Sequence, residues 1–144
     1  MEYTLEKSQK QVILPAGKYI IGDPCYTIPD EEWDKVLDQS GFFNDQCWAM
    51  FRAPNGEQAP VVAFSTAWGD GTYDDGAGRS YGVDAGLIGI IPAGPFGNAR
   101  PFCTHVVEFH SPVNCSEKQG VICFGNVRIN TDYDVNDISD DDDY

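Results

Sequence analysis

The chain has 144 residues, which is the usual size of a single domain. Apolar residues make up 42% of it, enough for a buried core, so the composition excludes a chain that is disordered throughout. The formal net charge of -14 disfavours direct binding to nucleic acid or to anionic membrane surfaces, because both are negatively charged.

Short runs rich in Val, Ile, Phe and Tyr, separated by Gly and Pro, predict β-strands along most of the chain. We expect strands at 11–14, 18–21, 48–52, 61–65, 79–83, 87–91, 104–109, 121–124 and 126–130. Pro15 and Gly17 predict a tight turn and a hairpin between the first two runs. Gly86 predicts a three-residue hairpin loop between the runs at 79–83 and 87–91.

One α-helix is predicted near residues 28–39. Pro29 suits the first turn of a helix, and the acidic residues that follow complement the helix dipole. Trp33, Val36 and Leu37 fall on one apolar stripe, and Gly41 is a natural stop. The predicted fold class is mainly β, an antiparallel sandwich or barrel-like sheet with this one covering helix.

The acidic residues are unevenly distributed. Residues 132–144 contain 7 Asp and no Lys or Arg, so half of the net charge lies there. We expect this segment to be a disordered tail behind a single β-rich domain at 1–131. It either solubilises the protein or docks on a basic partner. The remaining excess of acid is concentrated in the helix at 30–38 and the loop at 70–75.

Residues 68–86 form the most unusual segment, with six Gly and four Asp in 19 residues. A phosphate cradle is disfavoured because Arg79 is the only cation between Arg52 and Arg100, and the glycine spacing matches no phosphate-binding motif. A calcium site could use hard oxygen ligands from Asp70, Asp74 and Asp75. A carboxylate pair for acid–base catalysis is a further alternative. A glycine-rich hairpin with a polar tip is the favoured interpretation.

Two further aspartates, Asp23 and Asp84, each follow an apolar run. Asp side chains accept hydrogen bonds from the N–H groups of a following turn, so both are predicted to fix turns, although either could line a shared cleft. The residues that could line such a cleft are Asp23, Trp68, Tyr73, Arg79, Tyr81 and Asp84.

The five cysteines include no closely spaced pair, and no apolar signal segment precedes them. We therefore expect free thiols in a cytoplasmic protein. Cys103 and His105 share one strand face but have no second pair of ligands. No metal site, cofactor or catalytic residue is predicted, which favours a protein that is not an enzyme.

Three motifs carry a resemblance to a known family: Gly22-Asp-Pro-Cys-Tyr26, Gly69-Asp-Gly-Thr-Tyr73 and Val83-Asp-Ala-Gly86. In combination they resemble a family of small, uncharacterised proteins common in tailed bacteriophages and some bacteria. The resemblance covers about residues 12–92 and implies a phage protein made in the cytoplasm of the infected host. It implies no catalytic residue.

Three hypotheses for function follow. The first is a non-enzymatic protein that binds and inhibits or redirects a host protein by occupying a basic nucleic-acid-binding surface. The second is a small-molecule or metal-ion-binding domain that uses the 68–86 loop, and the third is a component of the virion or its assembly. For the first hypothesis the predicted partner-binding residues are Asp70, Asp74, Asp75, Asp140, Asp141, Asp142 and Asp143.

Overall fold

Antiparallel strands dominate the computed structural model, which describes residues 11–40, 47–84, 86–96 and 104–131. Within these ranges the strands are β1 Gln11–Leu14, β2 Gly17–Gly22, β3 Trp48–Arg52, β4 Gln58–Ser65, β5 Gly71–Asp74, β6 Ser80–Val83, β7 Leu87–Pro92, β8 His105–Phe109, β9 Val113–Lys118, β10 Val121–Phe124 and β11 Val127–Asn130. One α-helix, α1, spans Asp30–Ser40, and short 3-10 turns span Pro24–Tyr26 and Gly94–Phe96.

The strands form two larger sheets and a separate hairpin. The four-stranded sheet has the order β1-β9-β10-β11, and the five-stranded sheet has the order β3-β4-β7-β2-β8. Strands β5 and β6 pair only with each other, although a bridge from Asp75 to Ile129 links their turn to β11. Every pairing is antiparallel.

The two larger sheets enclose a common apolar layer, the inter-sheet core. Its buried members come from both sheets and from the hairpin; they include Leu14, Cys115 and Phe124 on one side, and Ile21, Phe64, Ile90 and Tyr81 on the other. The side chains of each strand alternate between this core and the opposite face. This arrangement is a β-sandwich in which the β5–β6 hairpin contributes Tyr73, Tyr81 and Val83 to the same core.

Helix α1 covers the other face of the five-stranded sheet. Val36 is buried, and Trp33 and Leu37 pack against the same cluster, the helix-side core, with Phe51 and Ile91. The predicted apolar stripe and the β-rich fold with one covering helix are thereby confirmed. The helix begins at Asp30, and the Pro29 carbonyl accepts the N–H of Trp33 at 2.9 Å. The predicted stop at Gly41 lies outside the described residues.

The hairpin predicted at 68–86 is formed by β5 and β6, but the two hairpins predicted at Pro15 and at Gly86 are wrong. Strand β1 pairs with β9 and β2 pairs with β7 and β8, so the turn at Pro15 carries the chain from one sheet to the other. Strand β6 pairs with β5 and β7 pairs with β2 and β4. Gly86 has the expected left-handed conformation (φ 77°), but it connects β6 of the hairpin to β7 of the five-stranded sheet. Local turn chemistry cannot distinguish the two outcomes, because strand partners are chosen by the distant faces that each strand buries.

Two strands were not expected from the sequence, and among those that were, β4 is extended furthest beyond its predicted range. β5 is the short run Gly-Thr-Tyr-Asp, and β9 carries Asn, Ser and Lys on its outer positions and Glu117 on its inner face, so neither has the apolar composition of a typical strand. β4 begins three residues earlier than predicted and contains Pro60, a residue that ordinarily argues against a central strand.

The predicted disordered tail at 132–144 lies outside the described residues, and the single domain at 1–131 stays a prediction. Among the described residues, no helix has the length and apolar character needed to cross a bilayer.

Candidate functional site

The exposed side of α1 carries a row of carboxylates. Asp30, Glu31, Asp34 and Asp38 are all exposed, and at about 100° of rotation per residue they fall within one arc of about 100°. Asp30, Asp34 and Asp38 follow one another at intervals of about 6 Å along the helix axis. The sheet holds this row outward, because the apolar stripe on the other side of α1 is packed against it.

The one cation of α1 does not neutralise that row. Lys35 Nζ lies 3.3 Å from an Oε atom of Glu32, and the other Oε of Glu32 accepts the backbone N–H of Arg52 at 3.0 Å. The hydrogen bond from the Arg52 N–H, helped by Lys35, lowers the pKa of Glu32. Lys35 is therefore paired with Glu32, a carboxylate outside the row. None of the four acids of the row takes part in this ion pair.

The turn of the β5–β6 hairpin is built around Asp75. One carboxylate oxygen accepts the backbone N–H groups of Ala77 (2.8 Å) and Arg79 (3.0 Å). The other accepts Arg79 Nε and the Tyr81 hydroxyl, both at 2.7 Å. The Asp75 side chain is only 1% exposed, against 31% for Arg79. Four donors thus hold a buried carboxylate that closes the hairpin.

The electrostatics of this cluster favour the ionised acid. Burial disfavours a charged Asp75, but the bonds from Arg79, Tyr81 and the two backbone N–H groups outweigh it, and the pKa of Asp75 lies well below its usual value. Burial and the Asp75 charge raise the pKa of Tyr81. The hydrogen bond to Asp75 raises the pKa of Arg79. An Asp held this firmly as an anion is a structural ion-pair partner and a poor proton donor or general base.

His105 lies against the same cluster. Its ring meets the Tyr81 ring edge-on, with the centroids 5.0 Å apart, and its Nε2 atom is 2.9 Å from the Ser80 carbonyl oxygen. His105 therefore joins β8 to the hairpin. Cys103, its candidate partner in the sequence, lies outside the described residues.

Asp23 and Asp84 are joined by a hydrogen bond. Asp23 is fully buried; one of its oxygens accepts the Cys25 N–H at 3.0 Å and the other accepts the Asp84 N–H at 2.8 Å. The Asp84 carboxylate accepts the Tyr26 hydroxyl at 2.7 Å. The 3-10 turn after β2 is thus tied to the residue after β6, and Asp23 fixes a turn as predicted.

The three aspartates proposed for calcium binding do not converge. Asp70 precedes β5 and Asp74 ends it, so the two exposed residues are about 13 Å apart along the backbone. Asp75 is turned inward on Arg79. Across the described ranges, no group of three or more His, Cys, Asp or Glu side chains could hold a metal ion.

The six residues predicted to line one cleft fall into separate environments. Tyr73 and Tyr81 are buried in the inter-sheet core, whereas Trp68 is 59% exposed. Arg79 is bound to Asp75 at the turn of the β5–β6 hairpin. Asp23 and Asp84 lie at the other end of this hairpin, where β6 ends. The structure connects them through the hairpin and does not arrange them around a single opening.

Asp75 is buried and cannot contact a partner directly. The candidate partner-binding surface is therefore the exposed acidic face of α1. Asp70 and Asp74 remain exposed on the hairpin, and Asp140–Asp143 lie outside the described residues. The row on α1 was readable from the sequence, since acids at i, i+4 and i+8 share a helix face. No family model, curated protein or solved structure matches the chain.

Proposed function

We propose that this is a non-enzymatic acidic protein that binds a protein with a basic surface. The observation that carries the proposal is the uncompensated row Asp30, Glu31, Asp34 and Asp38 on a helix that the sandwich holds rigidly outward. Regularly spaced carboxylates on a fixed scaffold resemble the regularly spaced phosphates of a nucleic-acid backbone. A basic groove that binds phosphates can therefore also bind such a row, although the row carries no bases.

The position of Asp38 supports this proposal. It lies in the last turn of α1, which contains no basic residue, and the carbonyl end of a helix disfavours a carboxylate. Asp38 therefore works against helix stability, unlike Asp30, Glu31 and Glu32 in the first turn, which complement the dipole. A residue that opposes the local stability of its element is better accounted for by a contact made with another molecule.

Together with the resemblance to phage proteins, the charge pattern suggests a host protein as the partner and a nucleic-acid-binding surface as the place of contact. The partner would then be inhibited or redirected in the cytoplasm of the host cell. A ligand or ion site in the 68–86 loop and a virion component are the alternatives, and the experiment below also addresses the second of them.

The test is affinity capture from host lysate with the full chain and two matched variants. Asp34→Asn/Asp38→Asn removes two charges of the row without touching the first turn of α1. Asp70→Asn/Asp74→Asn removes two exposed charges from the hairpin. We expect a basic protein to be captured by the wild type and by the hairpin variant, and to be lost from the α1 variant.

The salt dependence separates electrostatic capture from other kinds. A partner held by this row should be released as salt rises from about 0.05 M to about 0.5 M, because the Debye length falls several-fold over that range. Capture that is indifferent to salt, or that survives Asp34→Asn/Asp38→Asn, contradicts the proposal. Recovery of the protein within purified virions would favour the assembly alternative instead.

A further inference from the structure

The five-stranded sheet opens between two of its central strands. The β4–β7 ladder runs from Ser65↔Leu87 to Val62↔Ile90 and ends there. β4 nevertheless continues along β3 as far as Gln58, and β7 continues along β2 as far as Pro92. Beyond Val62 the β3–β4 pair therefore separates from the β2–β7 pair.

Two prolines account for the separation. The Ala63 N–H donates to Cys47 on the β3 side, and the Ala93 N–H donates to Lys18 on the β2 side. Since neighbouring residues in a strand point their backbone groups to opposite sides, Pro60 and Pro92 point theirs across the β4–β7 boundary. They would form the next hydrogen-bonded pair of this ladder, but neither has an N–H to donate. The ladder cannot continue, and Pro60 is tolerated in β4 for the same reason.

An open cleft of about 440 Å³ lies where the strands part. This volume is within the range of about 300–1,000 Å³ that is common for small-ligand sites. Its lining includes the buried residues Tyr19, Ala59 and Pro92 and the half-buried Pro95. The cleft is at the start of β2 and is thus at the far end of that strand from Asp23 and Asp84.

The cleft also has a peptide edge and two opposite charges. The Ala53 N–H donates to the Glu57 carbonyl on the β3 side, so the backbone N–H and C=O of Gln58 point toward the cleft. Lys18 lies on the β2 wall and Glu57 on the β4 wall, and both are exposed. Neither belongs to the two ion pairs, Lys35–Glu32 and Arg79–Asp75, found in the described part of the chain.

We propose that this cleft binds a short zwitterionic peptide of roughly two or three residues. Its carboxylate contacts Lys18, its ammonium group contacts Glu57, and one peptide unit pairs with the main chain of Gln58 as an added strand would. Its side chains lie against Pro95, the half-buried proline of the lining. The site is independent of the acidic face of α1.

The experiment titrates L-alanyl-L-leucine into the ¹⁵N-labelled full chain and follows the backbone amides by NMR. We expect saturable shifts centred on Lys18, Gln58, Ala59 and Gly94. Lys18→Gln and Glu57→Gln should each weaken binding about tenfold, the loss of one charge-assisted hydrogen bond. N-acetylated, C-amidated alanyl-leucine should bind at least about tenfold more weakly than the free dipeptide.

The matched controls are Lys118→Gln and Glu31→Gln, which neutralise exposed residues outside the cleft and should leave the affinity unchanged. The spectrum of each variant reports its folding directly. Absence of shifts at the cleft, shifts centred elsewhere, or equal binding of the free and capped dipeptides would each overturn the proposal. So would binding confined to longer capped peptides, which would identify an extended segment of a partner protein as the occupant.

Discussion

Replacing Asp75 by Asn tests whether the hairpin is held by its buried ion pair. The Asn carbonyl can still accept the Ala77 and Arg79 backbone N–H groups that now bind one carboxylate oxygen. The amide nitrogen, however, takes the place of the oxygen that accepts Arg79 Nε at 2.7 Å, so two donors face each other. The Tyr81 hydroxyl can rotate to accept from the amide, but the guanidinium cannot.

The loss is therefore one charge-assisted hydrogen bond together with a donor left without its acceptor. A hydrogen bond to a charged group contributes about 1.5–3 kcal/mol, and Arg79, with 31% of its side chain exposed, recovers part of its solvation from water. We expect Asp75→Asn to lower the free energy of unfolding by about 2–3 kcal/mol. The corresponding fall in Tm is about 6–10 °C for a chain of this size.

Urea unfolding followed by tryptophan fluorescence measures this loss, with Asp74→Asn as the control. Asp74 is the neighbouring exposed acid and accepts one hydrogen bond, from the Ser80 hydroxyl, so its replacement should cost less than about 0.5 kcal/mol. In the Asp75→Asn background, Arg79→Met should cost less than it does in the wild type, because the pair is already broken. Equal losses for Asp75→Asn and Asp74→Asn would refute the assignment of Asp75 as the centre of the turn.

Two further predictions concern pH and packing. Because the folded-state pKa of Asp75 lies below its unfolded value of about 3.9, its contribution is complete above that value and is lost as pH falls below it. The urea midpoint of the wild type should thus fall more steeply between about pH 5 and pH 3 than that of Asp75→Asn, and parallel curves would contradict the pairing. Gly89→Ala should lower stability by about 2–3 kcal/mol, since its Cβ would lie 2.9 Å from both the Val62 carbonyl oxygen and Pro24 Cγ. Gly76→Ala, whose Cβ meets nothing within 4 Å, is the control in the same thermal-unfolding measurement, and similar losses for the two would disprove the steric argument.

Features set by neighbours in the sequence were predictable, and features set by distant strands were not. Trp33, Val36 and Leu37 define α1 through their spacing alone, and the glycines of 68–86 correctly predicted a hairpin. The partner of β1 was not predictable, because β9 lies about a hundred residues further along the chain and its register depends on what both strands bury. The same holds for Asp75: its role depends on Tyr81 being buried in the inter-sheet core, which no local pattern shows.

The hydrogen bond from the Arg52 N–H to Glu32 has a consequence for how this protein behaves at high concentration. β3 is an outermost strand of the five-stranded sheet, and the Arg52 N–H points away from β4, toward the side where a foreign strand could add. Glu32 occupies that donor, and the acidic helix beside it repels another copy of the same chain. Helix α1 therefore also protects this edge of the sheet against edge-to-edge aggregation, and we expect a variant that loses α1 to lose solubility.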